Sequence, residues 1–387
     1  MHWIRPSMLL AGLLPALALT GSASAVIALL PAGSAVGSPA HQRHARPSGA
    51  SARVLASEHY GPASNASGFS VVVTTRLGTA WALGGTNPGG PSSPVAEQWT
   101  GHSLVPAQLP TGLSGFLTDA SAPGPADIWA ASRYGGYVLH WDGSNWRVSR
   151  RWASGDITGV TAVSRRDVWV FGSTVNGLTG TGTWHFNGQS WTEDTAGEAP
   201  YLYRASAVSR RDVWGIATDR SRFFVVRYNG RSWHRVRTGG VLADAQLSDI
   251  LAISRRDVWA VGNLETKHGG IRLVLAHYNG RRWVRIRTGL SAWAGRLAAG
   301  THGEVLITAT PARSGAAGMI LRASAHGWGH PVLIQSGLGC GVSDAALDRK
   351  TGTVLATGGI LTRLGGNAVV WTLRAGRAQQ HQDDSDA

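Results

Sequence analysis

The sequence predicts an all-β fold, a seven-bladed β-propeller of four-stranded antiparallel blades, on three observations: a long-period repeat, paired hairpin signals inside each repeat, and strands with no polar face. The repeat is the clearest. Ser-Arg-Arg-Asp-Val-Trp recurs with its tryptophan at Trp169, Trp214 and Trp259, 45 residues apart in both steps. Asp127-Ile128-Trp129 stands 40 residues before Trp169, and Thr79-Ala80-Trp81 stands 48 before Trp129. Weaker copies follow at Gly303-Glu304-Val305-Leu306 and Gly352-Thr353-Val354-Leu355, giving seven between residues 69 and 374. Self-similarity at this period marks a repeat architecture whose copies share one continuous core.

The second half of each copy is an aromatic, a turn and a tryptophan: Trp141-Asp142-Gly143 to Trp146, Phe186-Asn187-Gly188 to Trp191, Tyr228-Asn229-Gly230 to Trp233, and Tyr278-Asn279-Gly280 to Trp283. Asn-Gly between apolar runs predicts a tight type I′ hairpin, which needs positive φ at both central residues. Ser-Arg-Arg-Asp between two apolar runs predicts a second hairpin. Each copy therefore has four strands, a to d. In the third copy they are expected at 159–163, 167–172, 182–186 and 190–193.

Strand b reads Val258-Trp259-Ala260-Val261, apolar on both alternating faces, so both sides are buried. Sheets covered on both faces by copies of themselves are propeller blades. The repeat tryptophans (Trp81, Trp129, Trp169, Trp214 and Trp259 on strand b; Trp146, Trp191, Trp233, Trp283 and Trp328 on strand d) are expected to fill the wedges between blades. Trp152, Trp184 and Trp293 fall outside the shared positions and are candidates for exposed binding aromatics.

Along the chain, His2 and Arg5 precede an apolar run, and Ala23-Ser24-Ala25 is a small-x-small cleavage site, so 1–25 reads as a signal peptide. If it stays uncleaved, Leu9 to Leu30 forms a single membrane anchor. Either way the protein is expected to be secreted, or tethered on the outer side of the membrane. Residues 26–68 read as a flexible linker with a short apolar patch near 52–56. Copies one to six cover 69–110, 114–151, 157–196, 202–240, 247–288 and 294–335. The seventh supplies strands a, b and c but no d, so the patch near 52–56 is expected to pair with 368–373 and close the ring. Residues 375–387 read as a disordered tail.

The chain has 387 residues, a formal net charge of +14 and one cysteine, Cys340, so no internal disulfide stabilises it. Its basic charge predicts attraction to anionic surfaces. The counter-reading is a solvated basic rim in an arginine-rich sequence, since Lys267 and Lys350 are the only lysines.

The motifs Asp-Val-Trp-Ala-Val-Gly and His-Tyr-Asn-Gly-x-x-Trp resemble the secreted propeller repeats of actinobacterial proteins, distantly similar to kelch and galactose-oxidase-type repeats. The kelch double glycine survives at Gly84-Gly85 and Gly358-Gly359. The Asn-Gly-x-Ser-Trp turn also resembles the Asp-box of sialidase-type propellers, without its leading Ser-x-Asp. Ala346 to Gly352 faintly resembles a single quinoprotein propeller repeat. These resemblances imply the fold and leave the activity open, because propellers host unrelated functions.

Alternating turns put the a–b and c–d connections on one face of the disc and the b–c connections on the other. The variable b–c loops predict a ligand over that face, near the central channel. On the opposite face Arg165-Arg166, Arg210-Arg211 and Arg255-Arg256 could form an anion-binding arc on three consecutive blades. The structural alternative is that Asp167, Asp212 and Asp257 fix the turns through backbone hydrogen bonds, with an arginine packed beside each.

No catalytic residue, cofactor or metal site emerges. Glu97, Glu193, Glu265 and Glu304 are scattered, and His140, His185 and His277 occupy matching strand-c positions as repeat residues. Two function classes follow: a non-enzymatic binding or scaffold propeller for a protein, glycan or anionic envelope polymer, and, as the alternative, a carbohydrate-active hydrolase or lyase at the channel mouth. Paired carboxylates converging in a pocket on the b–c face would favour the second. No specific nucleic-acid signal is present, and a monomer is expected.

Overall fold

In the structure, a computed structural model, the described residues are 55–60, 67–75, 77–86, 92–153, 155–172, 180–195, 202–219, 222–312, 318–329, 331–334, 339–362 and 365–374. The expected signal peptide, most of the linker, the tail and much of the b–c loops (87–91, 173–179, 220–221 and 313–317) lie outside them.

Seven antiparallel sheets follow one another in chain order. Blade one is Ser67–Thr74, Ala80–Thr86, Ser93–Trp99 and Leu104–Pro106; blade two is Leu117–Gly124, Asp127–Ser132, Tyr137–Trp141 and Trp146–Arg151. Blade three is Gly159–Ser164, Asp167–Gly172, Gly182–Phe186 and Trp191–Glu193; blade four is Leu202–Ser209, Asp212–Asp219, Arg222–Tyr228 and Trp233–Arg235. Blade five is Gln246–Ser254, Asp257–Glu265, Ile271–Tyr278 and Trp283–Ile286. In blade six, Ala292–Ala299, Val305–Pro311 and Gly318–Ser324 are followed by two short pieces, Gly327–Trp328 and Val332–Ile334, that both pair with the third strand.

Blade seven has Gly339–Asp348, Thr353–Thr362 and Gly365–Arg374, and its fourth strand is Leu55–His59 from the N-terminal side. The register runs from Leu55 opposite Arg374 to His59 opposite Val370. The closing strand thus overlaps the 52–56 patch at Leu55 and Ala56 and extends three residues past it. His59 and Glu58 hold it there: His59 Nε2 meets Thr372 Oγ1 at 3.3 Å, and Trp371 Nε1 donates to Glu58 Oε1 at 3.4 Å. A strand taken from the opposite end of the chain covers the outer edge of Gly365–Arg374 and closes the ring.

The core is divided among the blade interfaces. Among the described residues seven hydrophobic clusters form, each spanning two neighbouring blades, including blades seven and one. At five interfaces the strand-b tryptophan of one blade enters the aromatic turn of the next. Trp81 packs on Trp141 and Trp146, Trp129 on Phe186 and Trp191, Trp169 on Tyr228 and Trp233, and Trp214 on Tyr278 and Trp283. Trp259 shares a cluster with Trp328. The five strand-b tryptophans are at most 1% exposed. Rings of this size bury roughly 150–250 Å² each, which makes them the main adhesive between wedges.

The glycine that ends Asp-Val-Trp-Ala-Val-Gly has a steric cause. A Cβ on Gly262 would stand 2.3 Å from the Gln246 carbonyl oxygen, where strand a bulges toward strand b. Only glycine allows that approach.

Candidate functional site

Two places gather polar side chains: the central channel, and the face that carries the a–b and c–d turns. The channel begins from the innermost strands. Strand a of each blade has a free inner edge whose N–H groups need acceptors. Side chains from the preceding blade supply them. Asp119 Oδ2 accepts from Val160 N at 2.9 Å, Asp249 Oδ2 from Leu297 N at 2.8 Å, and Asp344 Oδ2 from Val72 N at 3.1 Å. One level further along, the hydroxyls of Ser121, Thr161 and Ser206 accept from Ala162, Ala207 and Ala252. The same side chains therefore seal the edge and staple neighbouring blades.

In six blades a strand-a bulge brings one residue to a common level, Val71, Asp119, Arg204, Asp249, Arg296 and Asp344; in blade three Gly159, opposite Phe171, stands at the same level without a bulge. Arg296 reaches from blade six to blade two, where Nη1 lies 3.0 Å from Asp119 Oδ1 and Nη2 donates to the Thr118 carbonyl at 2.7 Å. Arg204 approaches from blade four, with Nη1 3.1 Å from Asp119 Oδ2 and 2.7 Å from the Thr158 carbonyl. The two guanidiniums and Asp119 make a bar across the channel. Burial pushes the Asp344 carboxyl up to about 7, opposed by Arg296 and by the N–H groups of Val72 and Ala345. Burial raises Asp249 as well, while its carboxylate and that of Asp119 hold the Arg296 guanidinium charged.

A cavity of about 260 Å³ sits on this bar. Its lining runs from the bar to Ser121, Ser206, Leu251, Ala298 and Ala346, and takes in no strand-a residue on the b–c side of the bar. The cup therefore belongs to the a–b half of the channel, away from the face where the variable loops predicted a ligand.

The a–b turns differ from the expected alternative. Asp167, Asp212 and Asp257 do not fix their own turns; the serine does, accepting from the second arginine's N–H in Ser164–Arg166, Ser209–Arg211 and Ser254–Arg256. The aspartates instead reach strand c. Asp167 bonds His185 at 2.8 Å, Asp257 bonds His277 at 2.9 Å, and Asp127 bonds His140 at 2.6 Å. Each histidine stacks on its blade's tryptophan at 4.2 Å. In blade four Arg227 takes the histidine's place, with Nε 2.6 Å from Asp212 and its guanidinium over Trp214. The histidines are structural partners of the tryptophans.

The c–d turns are not type I′. Only the glycine has positive φ, 96° at Gly188 and Gly230. The Asn side chain closes the turn instead, Asn229 Oδ1 accepting from Arg231 N and Ser232 N, and Asn279 Oδ1 from Arg281 N and Arg282 N. An Asx turn removes the need for a second residue at positive φ.

The six paired arginines are exposed, and none has an ion-pair partner among the described residues. Their second members are not loose. The stems of Arg166, Arg211 and Arg256 lie over Gly188, Gly230 and Gly280, so close that a Cβ there would meet each arginine Cβ at 2.7–3.0 Å. Arg231, Arg281 and Arg282 extend the same face at the c–d turns. Trp152, Trp184 and Trp293 are half-buried. The first two enclose Arg150, whose guanidinium lies 4.1 Å from the Trp184 ring centre and 5.2 Å from that of Trp152. They form a packed seam between blades two and three, and not an open aromatic platform.

The sequence matches no family model and no curated protein. Among solved structures it is similar to YCF48 bound to D1 peptide, with TM-score 0.56 and 13% identity over 84% of this chain and 96% of that one. YCF48 from Cyanidioschyzon merolae gives 0.55 and 11% over 82% and 98%. The WD40 repeats of RRP9 give 0.56 and 11% over 83% and 100%. At such identities the likeness establishes the propeller fold alone.

Proposed function

We propose that this chain is a secreted or cell-surface, non-enzymatic propeller that binds an anionic macromolecule through the arginine-bearing face of blades three to five. The observation that carries the reading is six exposed arginines in no ion pair among the described residues, repeated on three consecutive blades of the ring. Groups so placed present parallel donors to carboxylate or phosphate without first breaking an internal bond. The leader-like residues 1–25 support export. The partner classes that suit this surface are an acidic protein segment, an acidic glycan and an anionic envelope polymer. The test is binding of the full-length chain to polyglutamate, hyaluronate and teichoic acid at rising salt. Replacing the six arginines by glutamate is expected to abolish binding, and unchanged binding would remove the reading.

A carbohydrate-active hydrolase has one observation in its favour, the raised carboxyls of Asp249 and Asp344 beside a cavity. Against it, both oxygens of each carboxyl already accept backbone N–H groups. The cavity's 260 Å³ also falls below the roughly 300–1,000 Å³ of small-molecule sites. The binding reading fits these commitments better.

A further inference from the structure

We infer that the partner of the arginine face is an acidic polypeptide segment, extended and carrying a carboxylate at every third residue. The inference rests on the reading that this face is the docking face, and deepens it. Sheets packed face to face stand about 10 Å apart, and blades three to five pack through the tryptophans of strand b, so equivalent residues at the entry to strand b repeat at about that interval. Arg166, Arg211 and Arg256 are such residues, and their stems are fixed against the glycines of the neighbouring turns. A polyproline II segment has three residues per turn and rises about 3.1 Å per residue, so every third side chain returns to the same side about 9 Å further on. Carboxylates spaced in this way meet the three pinned guanidiniums in step. Arg165, Arg210 and Arg255, one residue earlier in each turn, add charge without setting the register.

The same surface fits nucleic acid poorly. Single-stranded binders combine a basic groove with exposed aromatic platforms. Here the tryptophans and tyrosines of blades three to five pack between blades, and the exposed tryptophan, tyrosine or phenylalanine side chains among the described residues are Tyr60 and Tyr134, on other blades. A bilayer is also a poor match. The exposed apolar side chains in this region are the single residues Ile253 and Val284, with no inserting cluster.

The test is fluorescence anisotropy of the full-length chain with a labelled peptide of three Asp-Pro-Ser units. The comparison ligands are an isomer with its three aspartates contiguous, single-stranded DNA, and phosphatidylglycerol vesicles. Two variants are compared with the wild type: a triple variant with Arg166→Gln, Arg211→Gln and Arg256→Gln, and a control with Arg222→Gln and Arg272→Gln, exposed positions at the b–c ends of their strands. Exposed ion pairs each contribute modestly, so losing three together is expected to weaken binding of the spaced peptide about tenfold. The control should stay within about twofold, and the isomer should bind more weakly than the spaced peptide. Equal affinity for both peptides, or an equal loss in the control, overturns the inference. Arginine-dependent binding of DNA or vesicles in preference to the peptide also overturns it while the basic docking face stands. Failure of every ligand to bind removes both.

Discussion

Arg296 of blade six and Asp119 of blade two meet across the central channel, Nη1 to Oδ1 at 3.0 Å, with Arg204 of blade four closing on the other carboxylate oxygen. Three blades that are not neighbours are thereby tied through one buried carboxylate, which also caps the edge N–H of Val160. The ring is held at its hub as well as at its closing strand.

Removing that carboxylate strands two buried cations. Asp119→Ala is expected to cost about 3–5 kcal/mol, read from the urea midpoint. Combined with Arg296→Ala it should cost clearly less than the two single losses together, because the variants share one network. Simple additivity would show that the bar is not a coupled unit.

The hub also sets a pH dependence. Asp344 is raised from 3.8 to about 7, so the folded protein keeps a proton that the unfolded chain has released. Its contribution to stability is complete below about pH 4 and is lost as pH rises through about 7. Asp249 shifts in the same direction. Urea midpoints should fall between about pH 4 and pH 7, and Asp344→Asn should flatten that slope whatever its absolute stability. A slope unchanged by the substitution would contradict the assignment.

Trp214 is 1% exposed and packs against Tyr278 and Trp283 of the next blade. Trp214→Ala is expected to cost about 3–5 kcal/mol. Trp184→Ala, at a half-buried rim position, should cost clearly less in the same unfolding experiment.

Ring closure depends on a strand that is far away in sequence. Ser57 pairs with Thr372, and proline at 57 can neither donate to the ladder nor continue the strand. Ser57→Pro should free the edge of Gly365–Arg374 and produce concentration-dependent association by light scattering. A variant that stays monomeric and unfolds at the wild-type midpoint would show that closure matters little.

Much of this fold is legible in the sequence because its signals are local. The strand-b tryptophans and the Asn-Gly turns place the strands of copy three within one residue of those observed, and the missing fourth strand of copy seven points to closure from the N-terminal side. The hub was not legible. Strand a varies from blade to blade, and Asp119, Arg204, Asp249 and Arg296 look unrelated until the bulge sets their level. A usable signal does exist: Asp119, Gly159, Arg204 and Asp249 each stand ten residues before their blade's strand-b tryptophan, and Arg296 ten before Leu306. The aspartates of Ser-Arg-Arg-Asp misled for a related reason. A turn position suggested a local backbone bond, whereas their partners, His185, Arg227 and His277, lie one strand beyond.

Hydrogen exchange of the full-length chain, with and without the spaced acidic peptide, tests the docking face most directly. Slowed exchange confined to the a–b and c–d turns of blades three to five is the predicted result. Protection on the b–c connections, such as 264–270, with those turns unaffected, would contradict it.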